Sequence, residues 1–544
     1  MATLEIVLAM LGSVVVSGLL MRALPIAIPL PLLQIGLGAL IATFTAGAVK
    51  LDPAIFFLLF LPPLLFLDGW RVPNEGLLRD RGMILALALG LVVCTVLGMG
   101  LFIHWMIPAM TMPASFALAA IISPTDPVAV SAITNRTAFP PRMQHVLEGE
   151  SLLNDASGLV CFRFAVTAAM TGTFSLSAAA LSFVHLAVAG VVVGVALTFG
   201  ILWLKNQLSR RFGEESGSQV LLSLLIPFAA YMVAEQIGGS GILAAVAAGI
   251  TMSYMELTGA ALGHTRMQRA AVWDTVQFAL NGVMFVLLGE QLPSILRSSV
   301  HVVREAGHHD PLWLIIYILA INAGLIALRF VWVWVSLRVG QLLADTKPGA
   351  TAPRSSARRI AAMSLAGVRG TITMAGVLTL PLLLPGGAPF PARDLTIFLA
   401  SGTIILSLLT ANVFLPRLLR GIEIHETRRI KTLDHIRVIA AEAAIKAIQQ
   451  QLESGLGDPQ DPDLHAEAVA RVIEIYRRRI DGSSDTGETA VRLRRSDEIE
   501  RQLRLTGLRA ERDTVFAMAR AQQMSDEVSR HLVREIDLME ERLS

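Results

Sequence analysis

Among the ionisable side chains inside apolar stretches long enough to cross a bilayer, nine stand out: Asp68, Asp126, Glu150, Asp155, Arg163, Glu235, Asp274, Arg329 and Arg369. A charge in hydrocarbon is costly, so each is a candidate for function. Asp155 closes the string Glu148-Gly149-Glu150-Ser151-Leu152-Leu153-Asn154-Asp155. Ser151 and Asp155 are four apart and share one helix face, with Glu150 and Asn154 on the adjacent face. Oxygen-bearing side chains grouped in this way suit hard cations. The plainer alternative is a polar helix start with Asp155 as its cap. Asp126 lies in Ile122-Ser123-Pro124-Thr125-Asp126-Pro127, in mid-stretch. Two prolines so close together remove backbone donors and clash with preceding carbonyls, so the helix should break. The freed carbonyls and half-helix ends can hold a cation near the midplane. The alternative is a simple proline kink capped by Asp126. Arg369 stands in Gly367-Val368-Arg369-Gly370-Thr371, where the glycines weaken a helix and allow close backbone approach. A guanidinium there needs a carboxylate partner, and Glu150 is the candidate.

The elements that must position these residues follow from composition. Of 544 residues, 54% are apolar and 16% charged, against about 25% charged in soluble domains; mean hydropathy is +0.61. An ordinary soluble enzyme is excluded. A net charge of +2 gives no sign of a nucleic-acid partner. Cys94 and Cys161 both lie in apolar runs and read as buried helix residues, with no disulfide or metal-ligand spacing. Thirteen spans are expected, near 3–22, 26–44, 53–70, 82–107, 113–135, 147–172, 176–204, 218–237, 240–258, 270–292, 312–340, 360–384 and 394–418. The first lacks the basic start and cleavage site of a signal peptide. Assigned alternately, the connecting loops carry sixteen Lys and Arg on one side and four on the other, the four being Lys50, Arg297, Arg304 and Arg393. The positive-inside rule then puts the N-terminus outside and the C-terminus in the cytoplasm.

Half of the charged residues, 44 of 88, fall in the last 124 positions. The chain is therefore expected to divide into a membrane domain, 1–420, and a helical cytoplasmic tail, 421–544. Tail helices are expected near 424–454, 463–480 and 490–543, broken at Gly455-Leu456-Gly457-Asp458-Pro459 and at Asp481-Gly482-Ser483-Ser484. The tail reads as a solvated, charge-laced appendage, or as a contact with its own dimer mate or a regulator. Its Gly455-Leu456-Gly457-Asp458 matches an intramembrane-protease string but has no membrane around it. Two interrupted helices, the fifth and twelfth, are what an inverted-repeat carrier with a midplane cation site requires, and spacing alone does not name the ion. Other charges carry weaker expectations. Arg163 could pair with Asp68 or Asp274. Arg329 could snorkel or stack among Trp332 and Trp334. Glu235 and Glu290 should be interfacial and solvated. His301, His308 and His309 form an outer-loop cluster.

Several strings, in this order and spacing, resemble the sodium/proton antiporters, specifically the bacterial relatives of the eukaryotic sodium–hydrogen exchangers. They are Phe60-Leu61-Pro62-Pro63-Leu64-Leu65-Phe66-Leu67-Asp68, Ser123-Pro124-Thr125-Asp126-Pro127, Gly149 to Asp155, Gly239-Ser240-Gly241-Ile242-Leu243-Ala244, Trp273-Asp274 with Asn281 and Phe285, and Gly367-Val368-Arg369-Gly370. The resemblance implies an all-α polytopic fold of about thirteen helices in two inverted repeats, with two broken crossing helices. It implies a homodimer in the inner (plasma) membrane, built from a dimerisation part and a mobile core. The implied activity is exchange of Na+ or Li+ for H+ in pH and sodium homeostasis, with no resident cofactor. Asp155 would bind cation and proton alternately. Ser151, Asp126 and the Thr125 carbonyl would be further Na+ ligands, and Asn154 and Asp68 belong to the same cation and proton set. Glu150 and Arg369 would form a structural ion pair. Asn154 before Asp155 resembles the electroneutral, one-to-one branch. Asp68 and Asp274 stand where relatives often have Glu. A K+/H+ antiporter is the alternative, and a sodium-coupled symporter a more distant one.

Overall fold

The computed structural model describes residues 2–23, 28–44, 53–71, 81–134, 140–172, 176–213, 215–256, 263–305, 312–345, 357–385, 387–420, 426–453, 462–484, 488–521, 523–524 and 526–543. The chain is an all-helical membrane protein that divides into two compact units, 1–422 and 423–544. Lys50, Arg79, Arg136, Lys347, Arg354, His308, His309 and the 455–458 string lie outside the described residues, as does the side chain of His301.

The first unit runs α1 (Ala2–Ala23), α2 (Leu30–Phe44), α3 (Pro53–Arg71), α4 (Arg81–Leu85), a π-helical stretch (Ala86–Leu91), α5 (Val92–Met106), α6 (Met112–Ile121) and α7 (Pro127–Thr134). It continues with α8 (Pro141–Thr171), α9 (Leu176–Phe212), α10 (Ser216–Gln236), α11 (Gly241–Glu256), α12 (Gly263–Glu305), α13 (Leu312–Asp345), α14 (Ala357–Leu365), α15 (Thr371–Leu378) and α16 (Arg393–Leu419). Among the described residues, eight helices are long and apolar enough to cross a membrane unaided; others, such as α2, α6 and α11, are shorter. Two expected spans were clearly too short: α12 continues through Pro293 well past residue 292, and α9 runs to Phe212 rather than 204.

Small residues let these helices approach backbone to backbone, as expected where lipid supplies no hydrophobic drive between them. A Cβ on Gly69 of α3 would collide with the Val246 carbonyl of α11, and one on Gly249 of α11 with the Phe66 carbonyl of α3. The same reciprocity joins α2 and α12: Gly38 meets the Val286 carbonyl and Gly289 meets that of Ile35. These contacts fix α3 and α12, which carry Asp68 and Asp274. The π stretch exposes carbonyls that regular helix would use. Trp332 Nε1 donates to Ala86 O at 3.0 Å and Ser157 Oγ to Ala88 O at 2.8 Å. The π stretch is thereby tied to α8, three residues past Asn154, and to α13. Arg358, at the start of α14, donates through Nε to Leu418 O (2.8 Å) and through Nη2 to Arg417 O (2.9 Å), satisfying the end of α16.

The second unit is α17 (Glu426–Glu453), α18 (Pro462–Ser484), α19 (Glu488–Arg520) and α20 (Asp526–Leu543). The break expected at Asp481–Ser484 is instead the last turn of α18, since a glycine and two serines cost a helix end little. The single helix expected over 490–543 is two, and the sequence Ser525-Asp526-Glu527 is a helix-start signal. Arg512 of α19 pairs with Glu540 and, at 3.0 Å, with Asp537 of α20.

Candidate functional site

Two helices break and cross. The first halves are α6 and α14; the second halves are α7 and α15. In the first break Pro127 takes the first position of α7, where its missing N–H is no loss. The second break, Ala366–Gly370, has no proline and relies on its glycines. Asp126 N donates to Val368 O at 2.7 Å, which links the two peptides directly. Gly370 lies so close to Asp126 that a side chain there would collide with the carboxylate.

The crossing gathers two helix C-terminal ends and two N-terminal ends, which carry opposite partial charges. Arg369, 3% exposed, serves the first kind. Its Nε donates to Ile122 O at 2.9 Å and its Nη1 to Gly367 O, one carbonyl from each C-terminal end. Asp126 serves the second kind. Its Oδ1 accepts from Ala129 N at 3.2 Å, which caps α7, and it sits against Gly370, the residue before α15. The plainer expectation for Asp126, a cap at a proline break, thus holds together with its place at the crossing.

The expected Glu150–Arg369 pair is replaced by another. Glu150 is 0% exposed and receives both guanidinium nitrogens of Arg329, Nη1 on Oε1 and Nη2 on Oε2 at 2.7 Å. Arg329 Nε donates to Met363 O at 3.1 Å. Arg329 therefore neither snorkels nor lies exposed on Trp332 and Trp334. The sequence argument matched one buried arginine to one buried carboxylate and overlooked that broken helix ends offer carbonyls enough for Arg369. A signal for Arg329 did exist, since it sits mid-way along α13, too far from either end to snorkel. Arg163 bonds Glu235 at 3.2 Å rather than Asp68 or Asp274. Asp274 is bound by Arg71. Glu290 is buried, contrary to the solvated position expected.

Asp155 and Ser151 on α8, Thr125 and Asp126 at the break, and Asp68 on α3 line one cavity. Ser151 Oγ stands 3.5 Å from Asp155 Oδ2. Asn154, expected in the same set, is not among the lining residues; its Nδ2 donates to Thr125 Oγ1 at 3.0 Å and so positions the break. Gln277, Asn281, Thr371 and Thr373 also face the cavity. Sequence reasoning missed Gln277 and the two threonines. The spacing 274, 277, 281 on α12 was the available signal, because it puts all three on one face. The enclosed space is about 20 Å³, and one water needs roughly 10–15 Å³, so it suits a single small ion with little of its water. Among the described residues no trio of His, Cys, Asp or Glu side chains could hold a metal ion. The mixture of carboxylates and hydroxyls instead suits a weakly held cation in transit, or a proton on Asp155. A wider space of about 240 Å³ adjoins this cavity, sharing Asp68, Pro127, Ser151 and Gln277 and adding Arg71, Ser131 and Glu148.

Comparison with known proteins gives one answer. The family profile described as sodium/hydrogen exchanger, transmembrane, matches residues 8–421. The chain is 41% identical over 545 residues to an uncharacterized Na+/H+ exchanger of Escherichia coli K12, covering 98% of this chain and 97% of that one. It is 44% identical to a sodium, potassium, lithium and rubidium/H+ antiporter of Bacillus pumilus, covering 76% of this chain and 60% of that one. A protein of the same name from Bacillus subtilis is 37% identical, covering 98% and 77%. In fold, the chain is similar to the sodium proton antiporter MjNhaP1 of Methanocaldococcus jannaschii, with a TM-score of 0.55 over 77% of this chain and 99% of that one at 18% identity.

Proposed function

We propose an exchange cycle from one premise: this chain belongs to the sodium/hydrogen exchanger family and is a secondary Na+/H+ antiporter, not an enzyme. Asp155 carries either a cation or a proton, never both. Ser151, Asp126 and the Thr125 carbonyl complete its cation shell, and Asp68 contributes through water. The observation that carries this reading is the setting of Asp155. It is 2% exposed, beside Asp126, in a cavity with no Lys or Arg among its lining residues. A bare carboxylate in such a place is costly to move through an apolar barrier. Neutralised by Na+ or by H+, it can pass. That penalty couples the two ions without any further energy source, and the crossed helices move against the rest of the unit to expose the site alternately. One charge is exchanged for one, so transport is electroneutral.

The positive-inside count supports an N-terminus outside and a cytoplasmic tail. Arg71 and Glu148 then mark the cytoplasmic mouth, and the wide space opens inward. The protein works in the cell's inner membrane as a homodimer, with no resident cofactor, in sodium and pH homeostasis; the tail touches its dimer mate or a regulator. The names of the two Bacillus relatives support extending the cargo from Na+ and Li+ to K+. In proteoliposomes, Asp155→Asn should abolish Na+-dependent proton flux while the purified protein stays folded. Flux persisting in that variant overturns the assignment. Comparing Na+, Li+ and K+ across pH in the same vesicles tests the cargo range.

A further inference from the structure

The wide space beside the ion cavity holds an arrangement that the exchange cycle does not use. Arg71 lines it together with Glu148, and Asp68 lines both spaces. Arg71 follows Asp68 by three residues on α3, so the two side chains leave one face of the helix a turn apart. A guanidinium so placed is an intramolecular rival to any cation approaching Asp68. Its bonds go elsewhere: Nη2 donates to Asp274 Oδ1, and Nη1 donates to Gln277 Oε1 at 2.6 Å, both on α12.

We propose that Asp274 is a positioning residue for transport: with Gln277 it parks Arg71 on α12 and keeps its guanidinium from bonding Asp68. Sodium crossing the wide space then meets a free carboxylate rather than an ion pair. Two facts favour a positioning role over a structural one. Arg71 and Asp274 are 41% and 67% exposed, and exposed pairs contribute little to stability. The close approach of α3 to its neighbour α11 is already fixed by Gly69 and Gly249. The inference rests on the ion site read above.

The test is sodium-dependent proton flux in proteoliposomes for the wild type, Asp274→Asn, Arg71→Gln and the double variant. Released Arg71 should compete with Na+, so Asp274→Asn should raise KM for Na+ by about three- to tenfold with Vmax within about twofold. In the Arg71→Gln background the same substitution should do nothing, because no rival remains to be released. An unchanged KM in Asp274→Asn overturns the inference. So does a rise of equal size in both backgrounds, which would mean that Asp274 acts by its own charge. Asp155→Asn in the same preparation keeps the two readings apart. Flux surviving there overturns the site and this inference with it, whereas an additive cycle alongside an inactive Asp155→Asn overturns this inference alone.

Discussion

Glu150 and Arg329 offer the sharpest test of how the core is built, because two pairings of the same residues make opposite predictions. Both side chains are essentially inaccessible, at 0% and 2% exposure. Glu150→Leu leaves Arg329 with one remaining bond, to Met363 O, and strands most of a guanidinium. Two charge-assisted hydrogen bonds are lost, each roughly 1.5–3 kcal/mol, and breaking a buried pair at one end costs about 3–5 kcal/mol. Arg329→Met strands the carboxylate instead, at similar cost. The double variant Glu150→Leu/Arg329→Met removes both charges and should return to within about 2 kcal/mol of the wild type. Thermal unfolding of the detergent-solubilised protein should therefore rank the double variant above either single one. Run with Arg369 in place of Arg329, the cycle should show far less rescue, since the bonds of the Arg369 side chain go to Ile122 O and Gly367 O and not to Glu150. Additivity at 150/329, or greater rescue at 150/369 than at 150/329, refutes the pairing argued here.

Two further predictions follow from the site. Gly370→Ala should abolish exchange, because its methyl group would displace the Asp126 carboxylate, whereas Gly12→Ala, which meets nothing within 4 Å, should leave transport intact; flux assays on both variants at matched protein levels check this, and an active Gly370→Ala would show that the crossing is not as tight as drawn. Competition between H+ and Na+ for one carboxylate should raise the apparent KM for Na+ as pH falls, approaching about tenfold per pH unit once Asp155 is mostly protonated, with Vmax constant; a pure Vmax effect would require separate sites.

Much of this was legible in the sequence because membrane proteins leave few charges to choose from. The break at Asp126 followed from Pro124 and Pro127, which remove two backbone donors within one helical turn. The second break had only glycines to announce it, yet an arginine between them in an apolar run was enough. The pairing was not legible. Periodicity says which residues share a face of one helix, but Glu150 and Arg329 meet across 179 positions of chain. Only the three-dimensional packing selects between Arg329 and Arg369 for the same carboxylate. Gln277 escaped for a different reason. A neutral amide in a membrane helix is unremarkable until a guanidinium is found on its oxygen.

The corrected pairing also sharpens why one ion should exchange for one. Count the charges that the broken-helix core must carry across an apolar barrier. Glu150 and Arg329 cancel within a bidentate pair. Arg369 answers two helix C-terminal ends and Asp126 two N-terminal ends, so those charges offset each other and the partial charges of the crossing. Asn154, being neutral, adds only a hydrogen bond to Thr125. Of the buried carboxylates on α8, what remains is Asp155, with Ser151 beside it. With Asp68 on α3 lining the same cavity but not carried on the broken helices or α8, the proposed cycle has these helices accept one positive charge at Asp155, whether Na+ or H+, before they move. Had the residue at 154 been a second carboxylate, the same bookkeeping would demand two charges on one leg of the cycle. On the proposed cycle the stoichiometry follows from which buried charges are already matched, and it would change with any substitution that unmatched one of them.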